Sequence, residues 1–224
     1  MEPLTLHFLG TGGGRHTMCT QRRRTAGIRL EQGKTQIHID PGPGALVHSI
    51  YAGLPPTRLD GVVVTHCHPD HYTDAEVLIE AMTGGTTRKQ GTLAASRSVL
   101  HGGPDLDPSI SRYHQRLTAR VEEMTPGTKF YIHDLKFEAI HAEHGDPDAV
   151  CIKITTPDTG TIAGCPLFFA LLRPMKFRMA PNSLFAILLR QPWWVSALIA
   201  ILFTGACFAL LPAGAAPFGA VGAL

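Results

Sequence analysis

Apolar and polar residues alternate over Leu4-Thr5-Leu6-His7-Phe8-Leu9, the period of a strand with one buried face. The alternation returns over Ala26 to Glu31 and Lys34 to Asp40, on either side of Gln32-Gly33. That pattern predicts a hairpin with Ile28, Leu30, Ile37 and Ile39 toward the core. Gly10 to Gly14, between the first strand and the hairpin, is too flexible for either regular element and predicts a loop. A short helix is expected over Ala45 to Tyr51, ended by Gly53 and Pro55-Pro56. Val62-Val63-Val64 is a buried β-branched strand, and a helix should run from Asp74 to Met82, entered through a capping box of Thr73 and Glu76. A short strand follows around Thr92–Ala95, whereas Ser96 to His114 fits no element clearly. Val121–Met124, Lys129–His133, Lys136–Ile140 and Ala149–Thr155 then read as consecutive antiparallel strands, and Thr161 to Gly164 opens another after a turn at Thr156–Gly160. Alternating strands and helices of this kind predict an α/β sandwich.

Beyond residue 164 the pattern changes. Trp193 to Leu211 is an uncharged run of 19 residues, roughly 28 Å as a helix against a bilayer core of about 30 Å. Trp193 and Trp194 stand at its start as interfacial anchors. The expected organisation is a globular portion over 1–164, a basic juxtamembrane linker over 165–192, and a transmembrane helix with the start of a second apolar segment over 193–224.

Charge follows the same division. Residues 1–158 carry 16 Lys and Arg against 18 Asp and Glu, while residues 159–224 carry Arg173, Lys176, Arg178, Arg190 and no acid. The formal net charge of +2 is therefore a sum of opposites and says nothing of nucleic-acid affinity. All four tail cations precede the apolar run, which favours a cytoplasmic amino-terminal side with anchoring to the inner membrane. Five scattered cysteines without a C-x-x-C pair suit a reducing compartment without structural disulfides. Met1-Glu2-Pro3 leads straight into a strand pattern, with no cleavable signal peptide. The change near residue 164 reads as the join of two unrelated fragments, a rearranged gene being the other account.

The chemistry concentrates in Thr65-His66-Cys67-His68-Pro69-Asp70-His71-Tyr72-Thr73-Asp74. In an extended segment His66 and His68 project to one side and Cys67 to the other. Two imidazoles so placed can grip one divalent ion at about 2.0–2.1 Å per nitrogen. Pro69 bends the chain, and Asp70 and His71 follow where they can face a second ion. Packed together without a cation, these groups would leave several donors and acceptors unsatisfied. Arg15, Arg22, Arg23 and Arg24 crowd the glycine loop, either to attract an anion or as a solvated cluster. Arg112, Arg116 and Arg120 recur every four residues, with the same two readings.

His66-x-His68-x-Asp70-His71 resembles the signature of the metallo-β-lactamase-fold hydrolases. Phe8-Leu9-Gly10-Thr11-Gly12-Gly13-Gly14 and Ile39-Asp40-Pro41-Gly42-Pro43-Gly44 are similar to segments of the branch that includes tRNA 3′-processing endonucleases and related phosphodiesterases. The tail weakly resembles the membrane hairpin of a restriction-endonuclease-like protein. The resemblance implies a partial αββα sandwich over about residues 4–164, and metal ligation by His66, His68, Asp70, His71 and His144, the last preferred to His141. It implies Asp70 as the residue that orients or deprotonates water, and Asp40 as an acid supporting the metal loops; a plain turn-initiating Asp40 is the competing account. One or two divalent cations are expected, zinc first, manganese or iron otherwise. The implied activity is hydrolysis of a phosphodiester or another ester, nucleic acid included. A non-catalytic metal-binding fragment on a membrane anchor, a lactonase and a thioester hydrolase are the alternatives. The family's long substrate-binding arm has no counterpart here. No acid or histidine follows Gly164, so the bridging aspartate and last histidine of the family pattern are missing, and weakened catalysis is expected.

Overall fold

A computed structural model describes residues 4–157, 160–165 and 168–171. The expected membrane span over 193–211 lies outside them. Among the described residues no helix is long and apolar enough to cross a membrane. The chain divides into two compact units, Met1–Pro174 and Met175–Leu224, and every described residue belongs to the first.

The first sheet holds six strands in sequence order: β1 (Thr5–Phe8), β2 (Ile28–Gln32), β3 (Thr35–Ile39), β4 (Gly61–Val64), β5 (Thr92–Ser96) and β6 (Arg120–Met124). β1 to β3 are antiparallel, with the expected hairpin pairing Leu30 with Ile37. From β3 to β6 the strands are parallel. Each parallel step needs a crossover, and helices supply it. These are α2 (Ala45–Tyr51) after β3, α3 (Pro69–Tyr72) and α4 (Ala75–Met82) after β4, and α5 (Arg97–His101) and α6 (Arg112–Leu117) after β5. The last pair supplies the helices of the stretch that fits no element clearly in the sequence, and it corrects one expectation: the strand after them joins β5 in parallel rather than opening the antiparallel series. α6 ends at Leu117 and Arg120 begins β6, so Arg112, Arg116 and Arg120 share no helix face.

A second sheet, in order β11-β10-β9-β8-β7, is antiparallel throughout: β7 (Lys129–Ile132), β8 (Leu135–His141), β9 (Val150–Thr156), β10 (Gly160–Cys165) and β11 (Phe168–Leu171). It runs on past residue 164 through the end of β10 and into β11. Cys151 on β9 is disulfide-bonded, contrary to the absence of disulfides read from the cysteine spacing; Cys19 and Cys67 are free thiols.

Alternation along β4 and β5 separates the two faces of the first sheet. Val62, Val64, Leu93 and Ala95 pack with Leu78, Ile79 and Met82 of α4 and Val99 and Leu100 of α5. Each fully buried large aliphatic side chain there contributes about 1.5–3 kcal/mol. Leu30, Ile37, Ile39, Val63 and Ala94 are buried on the other face. The second sheet covers that face: Ile132 of β7 abuts Gly61, while Phe130 and Phe137 stack with ring centroids 5.0 Å apart. The result is helix on sheet on sheet, three layers of the expected four among the described residues.

The capping box does not form. α3 runs almost directly into α4, so Thr73 is helical (φ −54°, ψ −37°) and cannot act as an N-cap. Its hydroxyl donates to the Pro69 carbonyl, Asp74 accepts from the Leu46 amide, and Glu76 accepts from the Ser111 amide.

Candidate metal centre

The carboxyl ends of parallel strands in an open α/β sheet gather loops at one edge. Here β3 delivers Asp40, β4 delivers Thr65 and His66, and β5 delivers Ser96 and Ser98. Asp40 is left-handed (φ 51°), a conformation that aspartate tolerates better than most residues. Gly42 is required beside it, because a methyl at that position would overlap the carbonyl oxygens of Asp70 and Thr25. The Asp40 loop and the histidine loop thus meet backbone to backbone.

A hydrogen-bond relay then orients the first histidine. The Thr65 amide and hydroxyl donate to the two oxygens of Asp40, each at 2.8 Å. With its proton committed to a carboxylate, the Thr65 hydroxyl oxygen accepts from His66 Nδ1 at 3.0 Å. The Nδ1–H tautomer leaves the lone pair on Nε2. That nitrogen is buried on a residue with no exposed surface and has no hydrogen-bond partner.

His68 and His144 complete the group. Ligand atoms of His66, His68 and His144 all lie within 4.8 Å of one another. His68 Nδ1 and His144 Nε2 are 3.1 Å apart, close to the roughly 3.3 Å between two nitrogens of one tetrahedral zinc site. Burial lowers the pKa of His66, with neighbouring His71 adding to it, to about 3. Burial and His144 lower that of His68. Neutral imidazoles with an unused lone pair are what a divalent cation binds, so the residues fit a metal ion. His141 stands exposed at the end of β8, opposite Val150, outside the group.

Asp70 and His71 come from α3, which Pro69 starts at its first position. His71 Nε2 lies 3.3 Å from Asp70 Oδ2, and Nδ1 lies 3.1 Å from Asp40 Oδ2 though off the hydrogen-bond line. Burial opposes charge on His71, yet Asp40 and Asp70 carry its pKa up to about 10. Burial would raise Asp70, but His71 and the Gly14 amide, which donates at 2.6 Å, hold it well below the usual carboxylate range. Asp40 is lowered in the same way, by His71 above all, against its burial. The His66 and His71 ring centroids are 4.1 Å apart, so two anions and a fourth imidazole adjoin the three-histidine group.

Sequence reasoning passed over Thr65 and Ser98 and gave Asp146 no role. Asp146 is 3% exposed and accepts from the Cys67 amide at 2.9 Å and the Ser98 hydroxyl at 2.6 Å. It raises the free Cys67 thiol, already pushed up by burial, to about 11, which makes that thiol a poor nucleophile. The glycine loop also continues into an unexpected helix, α1 (Arg15–Thr20), which places Gly14 against Asp70.

A profile described as "Beta-lactamase superfamily domain" matches residues 35–169. The uncharacterized protein MJ1374 of Methanocaldococcus jannaschii is 39% identical over 149 residues, 66% of this chain and 56% of that one. Ribonuclease Z of Methanopyrus kandleri is 29% identical over 157 residues, 69% of this chain and 51% of that one. The chain spans about half the length of these relatives. Among solved structures, the metallo-beta-lactamase fold protein YhfI of Bacillus subtilis superposes with a TM-score of 0.56 at 17% identity, covering 72% of this chain and 62% of that one. The short form of human tRNase Z superposes with a TM-score of 0.51 at 15% identity, covering 70% and 66%.

Proposed function

The chain belongs to the beta-lactamase superfamily, and on that premise we propose that it is a metal-dependent hydrolase of phosphodiester bonds, with nucleic acid as the substrate class. The observation that carries the metal half is the buried, unpartnered Nε2 of His66 beside His68 and His144. Similarity to a relative named Ribonuclease Z supports the phosphodiester half. His66, His68 and His144 would hold one cation, zinc first among the candidates; Asp70 and His71 would face a second. A bound divalent cation supplies Lewis acidity and makes water a stronger acid. Asp70, kept ionised by His71 and the Gly14 amide, is the base that orients the attacking water or takes its proton. Asp40 acts through Thr65, fixing His66 in the tautomer that leaves Nε2 unprotonated. Arg15, Arg22, Arg23 and Arg24 lie on the segment that touches Asp70 through Gly14 and would favour an anionic substrate there.

The length and neutrality of 193–211 support a further part of the proposal: this run crosses the inner membrane and holds the metal-binding unit on the cytoplasmic side. The activity test is hydrolysis of a chromogenic phosphodiester by the full chain in detergent, with zinc or manganese, against His66→Ala/His68→Ala. Metal-dependent turnover that the double variant abolishes is expected. Equal turnover by the double variant, or none by the wild type, contradicts the proposal.

A further inference from the structure

The loop that carries His144 begins after β8 and must close on a histidine pair 76 residues earlier in the chain. The single contact between the His144 and His68 rings, 3.1 Å between nitrogens, gives it little to close with. The carboxylate two residues beyond His144 is better equipped. Asp146 Oδ2 accepts from the backbone amide of Cys67, the residue between His66 and His68, at 2.9 Å. The same oxygen accepts from the Ser98 hydroxyl at 2.6 Å, and Ser98 is itself buried and 3.1 Å from the Ser96 hydroxyl at the end of β5. Asp146 Oδ1 accepts from the Asp148 amide at 2.9 Å, which curls its own loop. The backbone adds one more tie, from the Val150 amide to the Thr65 carbonyl at 3.2 Å.

We infer that Asp146 is the positioning residue of the metal centre: one buried carboxylate fixes the His144 loop to the peptide between the other two ligands, and Ser98 fixes that carboxylate to β5. The inference rests on the metal-binding reading and adds to it. Charged acceptors make the stronger hydrogen bonds, and a rigid frame behind the ligands governs metal affinity as much as the ligands do. Asp146 is not among the three residues whose ligand atoms converge. Its effect reaches the metal through the placement of His144 relative to His66 and His68. Asparagine would keep one acceptor oxygen and lose the charge; alanine would leave the Cys67 amide, the Ser98 hydroxyl and the Asp148 amide without their acceptor.

The test is zinc affinity of the full chain by competition with a chromophoric chelator, for wild type, Asp146→Ala and Asp146→Asn. Metal-free melting and the visible spectrum of the cobalt-loaded forms are recorded alongside. Wild type should bind about one equivalent. Asp146→Ala should bind about 10–100-fold more weakly, with a cobalt spectrum shifted from the wild type, and Asp146→Asn should recover part of the loss. A merely structural role would lower metal-free melting and leave both the affinity of the folded fraction and the cobalt spectrum unchanged. Wild-type affinity in Asp146→Ala overturns the inference while leaving the metal centre standing. Absence of zinc binding in the wild type overturns both. If Asp146→Ala does not fold, Asp146→Asn decides on the same terms: weaker zinc at unchanged metal-free melting supports the inference, and unchanged affinity overturns it.

Discussion

Thr65→Val replaces a hydroxyl by a methyl of nearly the same size, and so isolates the relay from Asp40 to His66. The Thr65 hydroxyl donates to Asp40 Oδ2 at 2.8 Å and accepts from His66 Nδ1 at 3.0 Å. In the variant, His66 Nδ1–H has no acceptor on a residue with no exposed surface, a defect of about 1–3 kcal/mol. Asp40 loses one donor to a charged group, about 1.5–3 kcal/mol, but keeps the Thr65 amide and His71. Relaxation removes some of this, which leaves a destabilisation of about 2–4 kcal/mol. His66 is also freed to adopt the other tautomer, with its proton on the nitrogen meant for the cation, so zinc should bind about 10–100-fold more weakly. Urea unfolding in the presence of chelator measures the first effect, and zinc competition the second. Thr65→Ser retains the hydroxyl and should keep both properties near those of the wild type. A stability change in Thr65→Val below about 0.5 kcal/mol, with unaltered zinc affinity, would show that the relay does not hold His66.

His38 is fully buried, donates to the Ala26 carbonyl, and has its pKa lowered from 6.5 to about 4 by burial, with nearby Arg29 adding to it. Its stabilising neutral form is complete above pH 6.5 and is lost as pH falls toward 4. Wild-type advantage over His38→Gln should therefore shrink by about 3 kcal/mol between pH 7 and pH 4 in chelator; a constant difference would contradict this. Gly42→Ala drives a methyl into the Asp70 and Thr25 carbonyls, so the loops must part. A loss of about 2 kcal/mol or more in stability, with weaker zinc, is expected by urea unfolding and competition, and wild-type behaviour in both would refute the close approach. Reporter fusions after Asp158 and after Leu224 should place the first on the cytoplasmic side and show a span between them; release of the whole chain by carbonate washing would count against any span.

Local signals in the sequence carried the strands well. Alternation gave β2 and β3 almost to the residue, and Val62 to Val64 gave β4, because each pattern reports burial of the segment's own side chains. Direction was harder. Nothing within Val121–Met124 distinguishes a parallel edge strand beside β5 from the first strand of an antiparallel series, since the helices that decide it lie in the unassigned stretch before. The HxHxDH run stood out because its candidate ligands are close in sequence, and Asp40 because a resemblance pointed at it. The parts that hold them were not. Asp146 meets Cys67 across 79 residues, and Thr65 looks like any strand-end threonine until the Asp40 oxygens are seen beside it. Thr73 and Glu76 have the spacing of a capping box, but α3 occupies the turn that a cap would need; the Thr73 hydroxyl turns back to the Pro69 carbonyl and Glu76 is taken by the Ser111 amide. Arg29, alternating outward by its pattern, is fully buried, where it donates to Gln36 and to the Pro55 carbonyl.

Metal content after mild dialysis tests the central claim most directly, with the full chain in detergent and four samples: wild type, His66→Ala/His68→Ala, His144→Ala and His141→Ala. The wild type should retain about one equivalent of zinc, as a single three-imidazole site does. The double variant and His144→Ala should lose it, and His141→Ala, altered at an exposed residue at the end of β8, should keep it. Retention by His144→Ala with loss from His141→Ala would contradict the ligand set, and no zinc in the wild type would contradict the metal centre itself.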